Sequence, residues 1–388
     1  MHNTILKKSL DWLNHLVAYN TTSSNSNLEL IDAIRLEMHK YQIDSRVIFN
    51  QDKTKANLFA TMNSAGGDIQ GGVVFSGHTD VVPVAGQNWD TDPFALTIKG
   101  DKIFGRGVAD MKGFIAVVMA LLPEFKKMKL PFPIHYAFSY DEEVGCRGIA
   151  SLINVIKQLN IQPRLCIVGE PTSMNLVVAH KGIQTYRCIV KGLAKHSSLT
   201  SCGCNAIDYA AKIVCFIRDC ARRLSDFGLC DANYDIPFST ISTDIINGGI
   251  AHNVIPDNCE FIFETRNLPD INPVAIIEEI ENYINKLQAE MRLEYINATI
   301  RLEKVSSSPS FNSTLNLTNN FFAKAKSAGK KIIKVAYATE AGYFEDIGIK
   351  TIICGPGDIA QAHQANEFIA IKQLAECVDF LSDVDMYF

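Results

Sequence analysis

The sequence VVFSGHTD at residues 73–80, followed by GVADMKG at residues 107–113, indicates both the fold and the kind of site. Residues 73–76 form an apolar run typical of a strand, and His78 and Asp80 follow it directly. Because residues two apart on a strand point to the same face, both side chains are expected on one face. His78 can then bind a metal ion while Asp80 accepts a hydrogen bond from the other ring nitrogen. Seen alone, the His78–Asp80 pair fits a purely structural role as well as it fits metal binding.

Asp110 lies between Gly107 and Gly113, where glycine permits unusual backbone and a close approach. An aspartate in such a turn is usually only a turn former. Beside His78, a carboxylate that bridges two metal ions is the better interpretation.

Other residues able to bind metal follow further apolar runs of the sequence. They are Glu142 and Glu143 after residues 134–139, Glu170 after residues 165–168, and His363 after residues 351–354. Neighbouring glutamates seen alone are more often a solvated surface. Ligand sites of α/β proteins gather at the carboxyl ends of strands, so three strand ends with such residues favour a shared site. Two imidazoles and several carboxylates suit two zinc-like ions that share one carboxylate.

Strands and helices alternate over residues 1–182, which predicts an α/β domain with a mixed, mostly parallel sheet and helices on both faces. The predicted helices are 4–18, 28–41, 113–127 and 150–159, and the strands are 45–49, 57–62, 73–76, 134–139 and 165–168. The pattern resumes late in the chain, with helices at 315–328 and 369–382 and strands at 331–337 and 350–354.

Between these parts the pattern changes to a βαββαβ unit typical of a ferredoxin-like α+β domain. Its predicted elements are strands 183–190, 239–246, 260–265 and 299–305, and helices 205–224 and from Pro273 onwards. We therefore expect a catalytic, metal-binding domain at 1–182 and 308–388 and an inserted lid and dimerisation domain at 183–307. Two helices would cover one face of the inserted sheet, and its edges offer a pairing surface for a second chain.

Composition excludes several classes of protein. The chain has 388 residues, a net charge of −5 and 20% charged residues, so nucleic acid is not an expected partner. Its longest apolar run, residues 114–122, is far shorter than the roughly 20 residues that span a bilayer. The eleven cysteines are scattered without a CxxC pair, which favours reduced thiols and a cytoplasmic location.

Five motifs, SGHTDVVP, GRGVADMKG, DEEVG, VGEPT and GPGDIAQAH, resemble those of the co-catalytic zinc aminoacylase and carboxypeptidase family. The resemblance covers nearly the whole chain and implies a phosphorylase/hydrolase-like zinc peptidase fold. It implies two divalent ions, zinc with cobalt able to substitute. The implied roles are His78, Asp110 and Glu170 for one ion, His363, Asp110 and Glu143 for the other, Glu142 as general base and Asp80 as the partner of the imidazole.

Two segments, ATEAG at residues 338–342 and residues 21–31, resemble the deacetylase branch of this family rather than the succinyl-diaminopimelate desuccinylases. The resemblance implies hydrolysis of N2-acetyl-L-ornithine to L-ornithine and acetate in arginine biosynthesis. Desuccinylation, broader deacylation of N-acyl amino acids and dipeptide cleavage remain alternatives. A non-catalytic protein with this fold would be expected to lose Glu142 or a ligand, and all are present.

The segment GGIAHNVIP at residues 248–256, followed by Arg266, resembles the lid region that meets the substrate. The resemblance implies that Asn253 and Arg266 bind the substrate carboxylate and that His196 stabilises the developing oxyanion. The uncovered elements of the inserted domain predict a homodimer in which His196 acts across the interface. Here Lys195 precedes His196, where the family usually has glycine. Alone, Arg266 would be read as a surface ion pair and Asn253 as a turn residue.

Overall fold

Helices and strands alternate from the N-terminus to His180 in the computed structural model, which describes residues 2–315, 320–327 and 329–383. Each predicted element of this part is present within three residues of its expected ends. Three strands, β4, β5 and β8, were not predicted. The elements are α1 (His2–Val17), α2 (Leu28–Lys40), β1 (Ser45–Phe49), β2 (Ala56–Met62), β3 (Val73–His78), β4 (Thr97–Lys99), β5 (Lys102–Phe104), α3 (Lys112–Met128), β6 (Ile134–Ser139), α4 (Ile149–Leu159), β7 (Leu165–Pro171) and β8 (Leu176–His180).

The middle of the chain contains the predicted βαββαβ series together with two short additional strands. Its elements are β9 (Gly182–Lys191), β10 (Lys195–His196), α5 (Ala206–Phe227), β11 (Thr240–Gly248), β12 (Val254–Ile255), β13 (Asn258–Asn267), α6 (Pro273–Glu294) and β14 (Thr299–Ser308). The side chain of Asn205 caps α5, and that of Asn272 caps α6 directly before Pro273. Such caps satisfy amides at the helix start that have no partner within the helix.

The strands of this series form an antiparallel sheet in the order β11-β13-β9-β14. Residues alternate between buried and half-buried along the whole of β13. Its buried Phe261 and Phe263 share one hydrophobic core with Ile213 of α5 and Ile284 of α6. The ferredoxin-like α+β arrangement expected from the sequence is therefore present.

The last part of the chain contains β15 (Phe311–Asn312), α7 (Asn320–Ser327), β16 (Ile332–Val335), α8 (Ala341–Glu345), β17 (Thr351–Gly355), β18 (Phe368–Ala370) and α9 (Ile371–Ser382). The helix predicted at 315–328 lies partly outside the described residues, and α7 is its described part. The strand predicted at 331–337 is shorter than expected, and α8 was not predicted. No helix in the described ranges is both long and apolar enough to cross a membrane.

The main sheet has the strand order β1-β2-β6-β3-β7-β17-β8-β15, and β16 pairs with β8. Its four central strands, β6, β3, β7 and β17, are parallel, whereas β1, β2 and β8 pair antiparallel to their neighbours. Every residue of those four strands is buried, as expected when helices cover both faces. The prediction of a mixed, mostly parallel sheet is confirmed.

The chain forms two compact units. The main unit comprises the described residues up to Val178, from Asn312 to Lys334 and from Thr339 onwards. The inserted unit comprises Ala179–Phe311 and Val335–Ala338. The carboxyl ends of the four parallel strands meet at one edge of the main unit's sheet, which positions the site described below.

Candidate metal centre

The first cluster of metal-ligand side chains forms around His78, the last residue of β3. Its Nε2 lies 2.9 Å from Oδ1 of Asp110 and 3.9 Å from Oε1 of Glu170. All three side chains are buried, and one ligand atom from each lies within 4.8 Å of the others. The family resemblance implied this set, and the structure brings the three side chains together.

The second cluster contains His363, Glu143 and the same Asp110. The Nε2 atom of His363 lies 2.9 Å from Oε2 of Glu143 and 3.4 Å from Oδ2 of Asp110. Asp110 therefore turns one carboxylate oxygen towards each cluster, which is the geometry of a bridging ligand. His363 is the most accessible of the five residues, with 52% of its side chain exposed.

The donor atoms of both clusters suit divalent cations. Each cluster offers one imidazole nitrogen and two carboxylates, a set that zinc accepts. The Oε1 atom of Glu143 is buried and has no hydrogen-bond partner among the described residues. Leaving such an oxygen without a partner costs about 1–3 kcal/mol, more when it is charged, so a cation would satisfy it. The residues present therefore fit two divalent ions that share Asp110.

The close packing of carboxylates in the two clusters also suits a bound cation. Burial, together with the nearby charge of Asp110, raises the pKa of Glu143 to about 7 and that of Glu170 well above its usual value. Burial would also raise the pKa of Asp110, but hydrogen bonds from His363 and His78 hold it below its usual value. Positive charge between these groups would favour the ionised forms that ligands need.

Asp80 positions the centre in two ways. Its main-chain oxygen accepts a hydrogen bond from Nδ1 of His78 at 2.9 Å, which leaves Nε2 for a metal ion. Its carboxylate, the acceptor that the sequence suggested, lies 3.6 Å from Nδ1. That carboxylate instead accepts from the Ser23 hydroxyl at 2.7 Å and from the amides of Glu142 and Glu143 at 3.1 and 3.3 Å. Asp80 thus also fixes the turn that carries both glutamates.

Glu142 belongs to neither ligand cluster. It lies half-buried in the turn after β6, where the Cys146 thiol donates to its Oε1 at 3.4 Å. Burial raises the pKa of Glu142 well above its usual value. An unliganded carboxyl beside such a cluster of ligands, with a raised pKa, is suited to carry a proton.

Two buried glutamates near the centre were not assigned from the sequence. Glu340, in the ATEAG segment, accepts from the Ser139 hydroxyl at 2.9 Å, and burial raises its pKa to about 7. Glu367 accepts hydrogen bonds from the turn that carries Asp110. The only signal in the sequence was that Glu367 follows His363 by four residues.

The candidate substrate residues lie in the inserted unit. His196 is exposed on β10 and contacts the Ser198 hydroxyl through Nδ1 at 2.8 Å. Asn253 lies in a turn, and its main-chain oxygen accepts from the Ser197 amide at 2.9 Å. Arg266 donates through Nε to Glu264 at 2.6 Å and through Nη1 to the main chain of Ala336 at 3.3 Å.

Register separates Arg266 from the other two residues. Arg266 pairs with Ile183 near the start of β9, whereas Asn258 pairs with Lys191 at its end. The loop that contains Asn253 starts and finishes beside Asn258, where the Gly249 amide donates to the Asn258 oxygen. Eight residue-to-residue steps along β13 lead from Asn258 to Arg266, a distance of roughly 26 Å. The structure therefore brings His196 and Asn253 to one end of this sheet and Arg266 to the other.

The α/β fold and the two ligand clusters beside an unliganded glutamate define a metal-dependent hydrolase of amide bonds. The model of peptidase family M20/M25/M40 matches residues 74–384, and the chain belongs to that family. The family resemblance deduced from the sequence motifs is confirmed.

Relatives and solved structures agree with this assignment. The chain is 30% identical to an acetylornithine deacetylase of Myxococcus xanthus over 97% of this chain and 96% of the relative. It is also 30% identical to the acetylornithine deacetylase of Aliivibrio fischeri, over 85% and 84% of the two chains. In fold it is similar to the M20 metallo-carboxypeptidase Sso-CP2 of Sulfolobus solfataricus, with a TM-score of 0.76, 17% identity and coverage of 98% and 99%. Human carnosine dipeptidase 1 gives a TM-score of 0.72 at 15% identity and coverage of 100% and 99%.

Proposed function

We propose that this enzyme hydrolyses the amide of N2-acetyl-L-ornithine to L-ornithine and acetate, as a step of arginine biosynthesis. The chemistry is supported by one observation above all, the pair of ligand clusters that share Asp110 beside the unliganded Glu142. The substrate is supported by relatives named acetylornithine deacetylase that align over most of the chain. Desuccinylation of N-succinyl-diaminopimelate, or broader cleavage of N-acyl amino acids and dipeptides, is the alternative.

The metal ions that we propose are two zinc ions, for which cobalt can substitute. His78, Asp110 and Glu170 would hold one, and Asp110, Glu143 and His363 the other. Ions held there would supply a water molecule with a pKa lowered towards about 7 and would polarise the amide carbonyl.

In the proposed mechanism Glu142 carries the proton. Its carboxylate takes a proton from the attacking water and passes it to the nitrogen of the leaving amine, which gives free ornithine and acetate. The Asp80 carboxylate accepts hydrogen bonds from the main-chain amides of Glu142 and Glu143. The proposed base and the neighbouring ligand are therefore held at fixed positions in the same turn.

The substrate residues that we propose require two chains. The loop of Asn253 starts and finishes beside Asn258, which lies roughly 26 Å from Arg266 along β13, so Asn253 and Arg266 of one chain are not expected to bind the same small carboxylate. If both act on one substrate, Arg266 belongs to one chain and Asn253, with the neighbouring His196, to its partner. His196 would then donate a hydrogen bond to the developing oxyanion.

A homodimer through the inserted unit would supply that arrangement. Edge strand β11 carries Ile245 and Ile246, whose side chains are half exposed. An exposed edge strand is a ready template for pairing with another chain. We also propose a cytoplasmic location, in line with the eleven free thiols.

Mixing two inactive variants tests the shared site. Glu142→Ala lacks the base and His196→Ala lacks the donor, so each is expected to be inactive alone. A mixed dimer has one site with both groups, so an equal mixture should recover about a quarter of the wild-type activity after subunit exchange. The control is each variant mixed with itself. No recovery after exchange is demonstrated would exclude the cross-subunit role, and a monomer in sedimentation would exclude the dimer.

A substrate panel tests the proposed reaction. We expect kcat/KM for N2-acetyl-L-ornithine to exceed that for N-succinyl-LL-diaminopimelate and for simple dipeptides by at least about tenfold, equivalent to about 1.4 kcal/mol of differential binding. Zinc or cobalt should be present throughout, and Glu142→Ala serves as the control for hydrolysis at another site. A preference for the succinylated substrate or a dipeptide would replace the proposed substrate but leave the chemistry intact.

A further inference from the structure

Glu367 makes an unusual set of contacts beside the metal centre. Its side chain is 1% exposed, and both carboxylate oxygens accept from the turn that carries Asp110. Oε1 accepts from the amides of Ala109 at 2.8 Å and Asp110 at 3.2 Å. Oε2 accepts from the Gly107 amide at 2.9 Å and from the Arg106 guanidinium at 2.7 Å. One buried carboxylate therefore fixes the backbone of the bridging ligand.

The same network reaches the loop of His363. Arg106 also donates to the main-chain oxygen of Gln364 at 3.3 Å and to Oε1 of Gln87 at 2.5 Å. The side-chain Nε2 of Gln87 donates in turn to the main-chain oxygen of His363 at 2.8 Å. His363 has a positive φ of 62°, a conformation that costs energy in a residue other than glycine. Such a conformation persists only when its surroundings hold it in place.

The two clusters depend on this network to different degrees. His78 and Glu170 lie within strands β3 and β7, where the sheet fixes them independently. His363 lies in a loop and is half exposed, so the second cluster relies on the network for both His363 and Asp110, whereas the first cluster relies on it for Asp110 alone. A buried ion pair often adds little to the free energy of unfolding. Holding Asp110 and His363 in place is therefore the better explanation of the Arg106–Glu367 pair.

We propose that Glu367, acting through Arg106 and Gln87, is a positioning residue that sets Asp110 and His363 for the second metal ion. Its loss then weakens the second ion far more than the first. This inference rests on the proposed two-ion centre but not on the identity of the substrate.

Titration of metal-free protein with zinc against a competing chelator tests the proposal without measuring activity. Glu367→Gln keeps the size of the side chain but removes its charge and turns an amide group towards hydrogen-bond donors. We expect the second zinc to bind about 10- to 100-fold more weakly, and the first zinc, which shares only Asp110 with the network, to weaken by a clearly smaller factor. Gln87→Ala, which leaves the buried ion pair intact, should weaken the second zinc several-fold in the same way.

The matched control is Glu376→Gln, which breaks the ion pair of Glu376 with Lys330 in the same unit. Both of its zinc affinities should stay at the wild-type value. Equal weakening of both ions in Glu367→Gln, or unchanged affinities in Gln87→Ala, would overturn the positioning role, and Gln87→Ala decides the matter if Glu367→Gln fails to fold. A wild-type chain that binds only one zinc would overturn the two-ion centre and this inference together.

Discussion

Replacing Glu142 with glutamine is expected to lower kcat by about 10²- to 10⁴-fold while the zinc content stays at the wild-type level. Glutamine has nearly the same size but cannot accept the proton of the attacking water. Glu142 lies in neither ligand cluster, so metal binding does not require its charge. Steady-state kinetics and metal analysis on the same preparation measure both quantities.

The matched control is the neighbouring residue. Glu143→Gln changes the same type of side chain in the same turn, but it removes a candidate ligand of the second ion. We expect this variant to lose affinity for one ion, with activity partly restored by excess zinc. If Glu142→Gln lost the ion and Glu143→Gln kept it, the two assignments would have to be exchanged.

Replacing Asp110 with asparagine is expected to have the largest effect of any single substitution. Asp110 faces both clusters, so loss of its charge should weaken both ions by at least about 100-fold and abolish activity. Asp141→Asn is the matched control, because Asp141 is a nearly buried aspartate that pairs with Lys55 and belongs to neither cluster. Its zinc content should equal that of the wild type. An Asp110→Asn chain that kept both ions would show that Asp110 does not bridge them.

Much of the metal centre could be predicted because its residues follow apolar strands. A parallel sheet places the ends of such strands at one edge, so His78, the Glu142–Glu143 pair and Glu170 could be expected together from local patterns. The choice of Glu143 as the ligand and Glu142 as the base came from the family resemblance. The alternation along β13 and the Asn272–Pro273 helix start likewise follow from short-range signals. Strands of three residues, such as β4, β5 and β18, carry too few residues for a period to be recognised.

The contacts that could not be predicted join distant parts of the chain. Glu367 meets the amide of Asp110 across 257 residues, and no local pattern encodes that pairing. The Asp80 carboxylate binds main-chain amides of the glutamate turn, which depends on backbone geometry rather than residue type. The separation of Asn253 from Arg266 follows from the register of β13, which short sequence motifs do not reveal.

Metal content per chain, measured after saturation with zinc and removal of the free ion, tests the shared two-ion centre most directly. Two histidines and three carboxylates besides Glu142 are too many for one tetrahedral site, so we expect two zinc ions per wild-type chain. The Asp141→Asn chain should also hold two, and the Asp110→Asn chain should hold fewer than one. A wild-type chain that saturates at a single ion with full amide-hydrolysing activity would contradict the shared centre.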